Sequence, residues 1–169
     1  AFDRLGIRYF VGGSFASSMY GVPRATQNVD VVADMDESDA ESFAALLSGS
    51  FYVDVDMIKE AIHSGRAFNV IHLESMFKAD VFGLGSGPWP REQMAGARIE
   101  AMPKGGGSID IRFASPEDTV LHKLIWYRMG GETSERQWSD VLGILQVQGD
   151  ELDGEYLRAW ATQLDVADL

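Results

Sequence analysis

The segment from Phe10 to Asp34, FVGGSFASSMYGVPRATQNVDVVAD, constrains this chain more than any other. Gly12 and Gly13 fall between a β-rich burst at Arg8 to Val11 and a helical pattern at Phe15 to Tyr20, which predicts a strand, a tight turn and a helix. At such a turn the bare backbone can approach a ligand, and the free N–H groups of the helix start carry a positive dipole suited to phosphate. Ser14 adds a hydroxyl donor. If residues 24–32 are extended, period-two alternation places Arg24, Thr26, Asn28 and Asp30 on one face and Ala25, Val29 and Val31 on the other. Val32 and Ala33 mark this strand as central, where an unpaired Asp30 would be costly, so Asp30 reads as a site residue.

Further strands are expected at Phe68 to Leu73, Phe77 to Phe82, Arg98 to Met102 and Ser108 to Phe113, with helices at Ser38 to Leu47 and Asp56 to His63. The strand Phe77-Lys-Ala-Asp-Val-Phe82 carries Lys78 and Asp80 on one side and supplies a second carboxylate in mid-strand. After Ala114 the pattern becomes helical. Ser115-Pro-Glu-Asp118 gives an N-cap, a proline at the first helical position and acids in the first turn of a helix running to about Met129, which Gly130 and Gly131 end. Helices at Ser134 to Gln146 and Asp153 to Leu164 follow. The fold class is therefore α+β: a mixed sheet flanked by helices over residues 1–114, and C-terminal helices over 115–169 packed on it as one compact unit.

The charge narrows the partners. With 26 acidic and 14 basic residues the net charge is −12, so the average surface repels phosphate backbones and bulk nucleic-acid binding is disfavoured. Small nucleotides carried in with a cation, or a basic protein partner, suit it better. No cysteine is present, so a metal would be held by oxygen or imidazole, which favours magnesium or manganese. No apolar run is long enough to span a membrane and the first residues lack a signal-peptide pattern, which leads to an expectation of a cytoplasmic protein. Ala1 opens the chain without methionine and AFDRL reads like the last turns of a helix, so a slightly longer parent protein is expected.

The Gly-Gly-Ser turn followed by Asn28-Val-Asp30 resembles the signature of the DNA polymerase beta-like nucleotidyltransferase superfamily, where an Asp-x-Asp pair stands on the strand after the helix. The likeness extends through Gly21-Val-Pro-Arg-Ala-Thr26, Ala114 to Asp118, Leu121, Lys123, Leu124, Arg136, Trp138 and Asp140. It is nearest to small stand-alone prokaryotic members similar to the AbiEii-type toxin enzymes and the minimal nucleotidyltransferases. The resemblance implies a catalytic palm that moves a nucleoside monophosphate from a nucleoside triphosphate to a hydroxyl and releases pyrophosphate, the acceptor being a small molecule, a protein side chain or an RNA end. Carried onto this sequence, it implies that Asp30 and Asp80, with Asn28, hold Mg2+ or Mn2+, and that Asp80 takes the proton from the attacking hydroxyl. It assigns Gly12, Gly13, Ser14 and Lys123 to the triphosphate, and Arg24 and Thr26 to nucleotide or acceptor.

Asn28 stands where the family pattern has an acid, and a neutral amide holds a divalent ion more weakly than a carboxylate. A weakened or one-metal enzyme, a nucleotide-binding or antitoxin-like relative without catalysis, and an engineered substitution all fit that departure. Other residues read as structural: His63, His72 and His122 lack metal spacing and are expected to be buried or exposed without a role. Lys104 to Ser108 reads as a hairpin tip, the acids from Asp34 to Glu41 as a helix cap, and Trp126, Tyr127, Trp138 and Trp160 as core packing. Arg136 and Asp140, four apart on one helix, are placed to pair with each other.

Overall fold

Alternating apolar residues become strands where the pattern is strongest, and the computed structural model, which describes residues 1–169, joins seven of them in one mixed sheet. The elements in chain order are α1 (Phe2–Leu5), β1 (Tyr9–Gly12), α2 (Gly13–Tyr20), β2 (Asn28–Ala33), α3 (Ala40–Leu47), β3 (Phe51–Tyr52), α4 (Val55–Ser64), β4 (Ala67–His72), β5 (Lys78–Gly83), α5 (Pro88–Gly96), β6 (Arg98–Lys104), β7 (Gly107–Phe113), α6 (Pro116–Met129), α7 (Glu135–Gln148) and α8 (Gly154–Gln163). Across the sheet the order is β3-β4-β5-β2-β1-β7-β6. β2 runs parallel to β5 and antiparallel to β1, and β4 runs antiparallel to β5.

The register decides which residues share a face. Val11, Val31, Val81 and Phe68 lie side by side and pack in the main core with Phe43 of α3 and Ile58 of α4. One residue along each strand, Phe10, Val32 and Phe82 point to the opposite face, where Phe10 is fully buried with Met94 of α5 and Ala114. Asp30 and Asp80 have the parity of this second face. It is therefore the face on which a site can form.

Helix starts follow the chemistry of their caps. Asp36 and Asp39 close a reciprocal capping box ahead of α3, Asp54 accepts from the Met57 N–H at the head of α4, and Ser115 accepts from the Asp118 N–H at 3.0 Å. Asp118 is almost fully buried, yet its carboxylate is satisfied from three elements: Trp89 Nε1 (3.0 Å) and Tyr156 Oη (2.8 Å) donate to Oδ1, and Ser115 Oγ (2.9 Å) to Oδ2. This fastens α5 and α8 to the head of α6 and fixes the Trp89 ring.

Several expectations needed correction. The strand after Pro23 begins only at Asn28, so Arg24 and Thr26 lie in an irregular segment and do not share a pleated face with Asp30. Helix α5 was not anticipated; Pro88 and Pro90 stand in its first turn, where proline is at home. The two-residue strand β3 was also missed. The hairpin tip was right: Gly105 and Gly106, both at positive φ, join β6 and β7. That hairpin meets the rest of the sheet through the Val11–Phe113 pairing, with the Ala114 N–H donating to the Val11 carbonyl. No helix is long and apolar enough to cross a membrane.

Candidate functional site

Four strands contribute one residue each to a row across the sheet: Gly12 stands opposite Asp30, Asp30 opposite Asp80, and Asp80 opposite Asn69. Asn28 sits beside the row, and its Nδ2 donates to Asp80 Oδ2 at 2.6 Å and to Asp30 Oδ1 at 3.3 Å. Asn69 Nδ2 donates to Asp80 Oδ1, and Lys78 Nζ lies 3.0 Å from the same oxygen. Burial and then the nearby Asp80 charge push the Asp30 carboxyl above its ordinary range, against the opposing pull of Lys123, the Ser14 backbone N–H and Lys78. Asn69 was missed in the sequence, where it is one polar residue in an apolar strand. No cluster of three His, Cys, Asp or Glu side chains capable of holding an ion is present. The two facing carboxylates with the Asn28 amide are the donor set that does exist.

The turn before α2 is built around Asp30. Gly13 has φ +57°, and a Cβ there would overlap the Asp30 carboxylate, so only glycine lets the helix start lie against the acid. Ser14 Oγ accepts from Arg24 Nη2 at 2.6 Å. Arg24 is held in turn by Asp140, with Nε–Oδ1 and Nη2–Oδ2 both at 2.8 Å. Asp140 also receives Lys123 Nζ at 2.7 Å and Ser17 Oγ at 3.1 Å. Its expected partner Arg136 is exposed on the surface, because α7 turns Asp140 inward toward α2 and α6. Thr26 is also relocated: its hydroxyl donates to the Asn28 carbonyl, and it lines a shallow groove with Asn28, Ser75, Phe77 and Lys78, away from Ser14 and Lys123.

Lys123 does not lie in solvent but is buried beside the row. Burial lowers its pKa despite the bond to Asp140, whereas Asp140, which burial alone would raise, is held down at about 2 by Arg24 and Lys123. Asp140 therefore carries its charge at neutral pH. Sequence reasoning gave Asp140 the wrong partner, since Ser17 and Arg24 lie more than a hundred positions away and Lys123 sits on another helix.

Gly12, Gly13, Ser14, Asp30 and Lys123 open onto a cavity of roughly 370 Å³ beneath α5 and α6. Its floor is Phe10, Val32 and Phe82, and Trp89, His122 and Trp126 form walls. His122, expected to be without a role, packs on Trp89 with ring centroids 4.7 Å apart. Trp126, expected in the core, is 51% exposed. Burial, aided by Lys123, lowers the His122 imidazole to about 4, so it is neutral at physiological pH. A folded-state pKa below the unfolded one means that acid protonates the unfolded chain first. Stability from this residue is accordingly intact above about pH 6.5 and falls by up to about 1.4 kcal/mol per unit as pH drops toward about 4. Urea unfolding at a series of pH values should show that decline, and His122→Phe should flatten it.

No protein-family model matches the chain, and no curated protein matches its sequence. Among solved structures it is similar to an antigenic nucleotidyltransferase-like protein from Paracoccidioides brasiliensis, with a TM-score of 0.54 and 19% identity over 98% of this chain and 86% of that one. It is also similar to the antibiotic-resistance factor ANT(2'')-Ia. The solution structure matches with a TM-score of 0.52 and 12% identity over 99% of this chain and 89% of that one. The crystal structure with adenylyl-2''-tobramycin gives 0.53 and 14% over 96% and 91%. At these identities the likeness is one of architecture, and the chain has a nucleotidyltransferase-like fold.

Proposed function

We propose that this protein is a nucleotidyltransferase that moves a nucleoside monophosphate from a nucleoside triphosphate to a hydroxyl. The observation that carries the reading is that Asp30, the head of α2 and the buried Lys123 open onto one cavity, with Asp80 beside Asp30 on the neighbouring strand. The triphosphate would lie with its terminal phosphates at the Gly13–Ser14 turn and Lys123, whose cation and free N–H groups suit the charge of departing pyrophosphate. The acceptor hydroxyl would come from the groove beside Asn28 and Lys78, and Asp80 would take its proton. The acceptor oxygen then bonds to the α-phosphorus as the bond to the bridging oxygen of pyrophosphate breaks. The adenylyl-tobramycin bound by ANT(2'')-Ia is the product of such a transfer onto a small molecule. It supports the same reaction class here, whereas the chain's −12 charge disfavours a nucleic-acid acceptor.

A divalent cation fits this donor set at Asp30 and Asp80, with the Asn28 carbonyl as a third oxygen once its amide turns. When bound it would neutralise the facing carboxylates and the triphosphate charge. Asn28 also favours a second reading. Its N–H2 group already bridges both acids, as a bound cation would, so the protein could bind nucleotide without transfer and act as a sensor or an antitoxin-like partner of another protein.

Pyrophosphate release from each of the four common triphosphates, assayed with magnesium or manganese over a panel of hydroxyl acceptors, tests the first reading. Asn28→Asp discriminates between the two. In the transfer reading it should raise release at least about tenfold, a lowering of the barrier by about 1.4 kcal/mol. It should also make thermal stability cation-dependent, because three acids then face one another. Nucleotide-induced stabilisation with no release from either protein would leave the binding reading in place and remove the catalytic one.

A further inference from the structure

The groove beside Asn28 is chemically unlike the surface of so acidic a chain. Asn28 stands opposite Lys78 in the β2–β5 register, so the groove continues the face of Asp30 and Asp80 to the turn before β5. Lys78 is the only charged residue among the seven that line it, although acids outnumber bases by 26 to 14 in the whole chain. Asp80 Oδ1, 3.0 Å from Lys78 Nζ, can take one of its three N–H donors, and with the side chain 41% exposed the others remain accessible. The turn itself is apolar where it borders the groove. Met76 and Phe77 are both exposed there, and Met76 is 69% exposed with its backbone at φ +57°, a left-handed conformation that a long side chain adopts only at a cost. Packing within the chain does not offset that cost, whereas a ligand lying over the methionine would.

We propose that the acceptor is a small hydroxylated molecule with an anionic group, a carboxylate or a phosphate monoester, on an apolar body. The inference rests on the transferase reading and adds the acceptor's chemical class to it. Lys78 holds the anion as a compact point charge, and Met76 and Phe77 cover the apolar body. Asp80, two residues along the same face, takes the proton of the hydroxyl as its oxygen displaces pyrophosphate from the α-phosphorus, so the product is a phosphodiester that keeps the anion. An amine in the anion's place would meet the like charge of Lys78, and no carboxylate lines the groove to receive it.

Acceptors that share one phenylpropane body and one secondary hydroxyl test this: 3-phenyllactate, 2-hydroxy-3-phenylpropyl phosphate, 3-phenylpropane-1,2-diol and 1-amino-3-phenylpropan-2-ol. Pyrophosphate release by the full chain is followed with the common triphosphates and magnesium, and products are identified by mass. In kcat/KM at least one anion should exceed the diol by about threefold and the amine by about tenfold or more, and the better anion tells carboxylate from phosphate. Lys78→Glu should reverse the order of anion and amine. Because Lys78 also touches Asp80 every rate falls in that variant, but the ratio between acceptors is a readout that damage to Asp80 alone does not move. Met76→Gly suits the positive φ and should leave Tm unchanged or higher while raising KM for all four probes about threefold or more. Equal rates, a lead for the diol or the amine, or a ratio unmoved by Lys78→Glu overturns the anionic acceptor and leaves the transferase reading standing. An unchanged KM in Met76→Gly overturns the apolar contact. An acceptor found elsewhere in the wider panel counts for or against by its own charge. If no acceptor of any class gives release, the transferase reading fails and this inference with it.

Discussion

Asp80→Ala should lower nucleotidyl transfer by at least about 10²–10⁴-fold, the range that a positioned general base contributes. The side chain sits in the row opposite Asp30, contacted by Asn28, Asn69 and Lys78. The loss should fall on kcat, because triphosphate contacts at Ser14 and Lys123 are untouched and nucleotide affinity should change much less. Steady-state pyrophosphate release measured alongside nucleotide titration separates the two quantities. A variant that keeps its turnover, or one that loses binding and turnover in equal measure, would take Asp80 out of the chemical step.

Asp140→Ala should be strongly destabilising. It strips the shared counterion from Arg24 and the buried Lys123 and removes the acceptor of Ser17. Breaking a buried ion pair from one side costs about 3–5 kcal/mol, because the remaining charge keeps its desolvation penalty without its partner. On a chain of 169 residues that corresponds to a fall in Tm of roughly 10 °C or more. Part of the penalty is relieved when Lys123 gives up its proton, which burial already favours, so the variant should regain stability as pH rises. Thermal unfolding at two pH values checks both statements. A change in Tm of only a few degrees at neutral pH would mean that Arg24 and Lys123 find water or other partners.

What could be read in advance follows from the range of each interaction. Asp30, Asp80, Gly13 and Ser14 were legible because strand alternation and a glycine turn are local signals, and the parallel pairing of β2 with β5 then brings the two acids together. The cap at Ser115 is local as well. Asp140 was misread because a neighbour four residues away on the same helix looked like its partner, while Arg24 and Lys123 reach it only through the packing of α2, α6 and α7. Arg24 stayed in the site for a reason alternation could not supply, and Thr26 left it for the same reason: the segment before Asn28 is not a strand.

The two borders of the sheet bear on how this protein associates. β3 is only two residues long, and β6 carries Arg98, Glu100, Pro103 and Lys104 along an exposed border. A docking strand needs a run of free N–H and C=O groups to template its own. At the β6 border Pro103 has no N–H to offer while charged side chains stand in the approach. Growth of the sheet into fibres or strand-swapped pairs is thereby discouraged, even while the chain is refolding at high concentration.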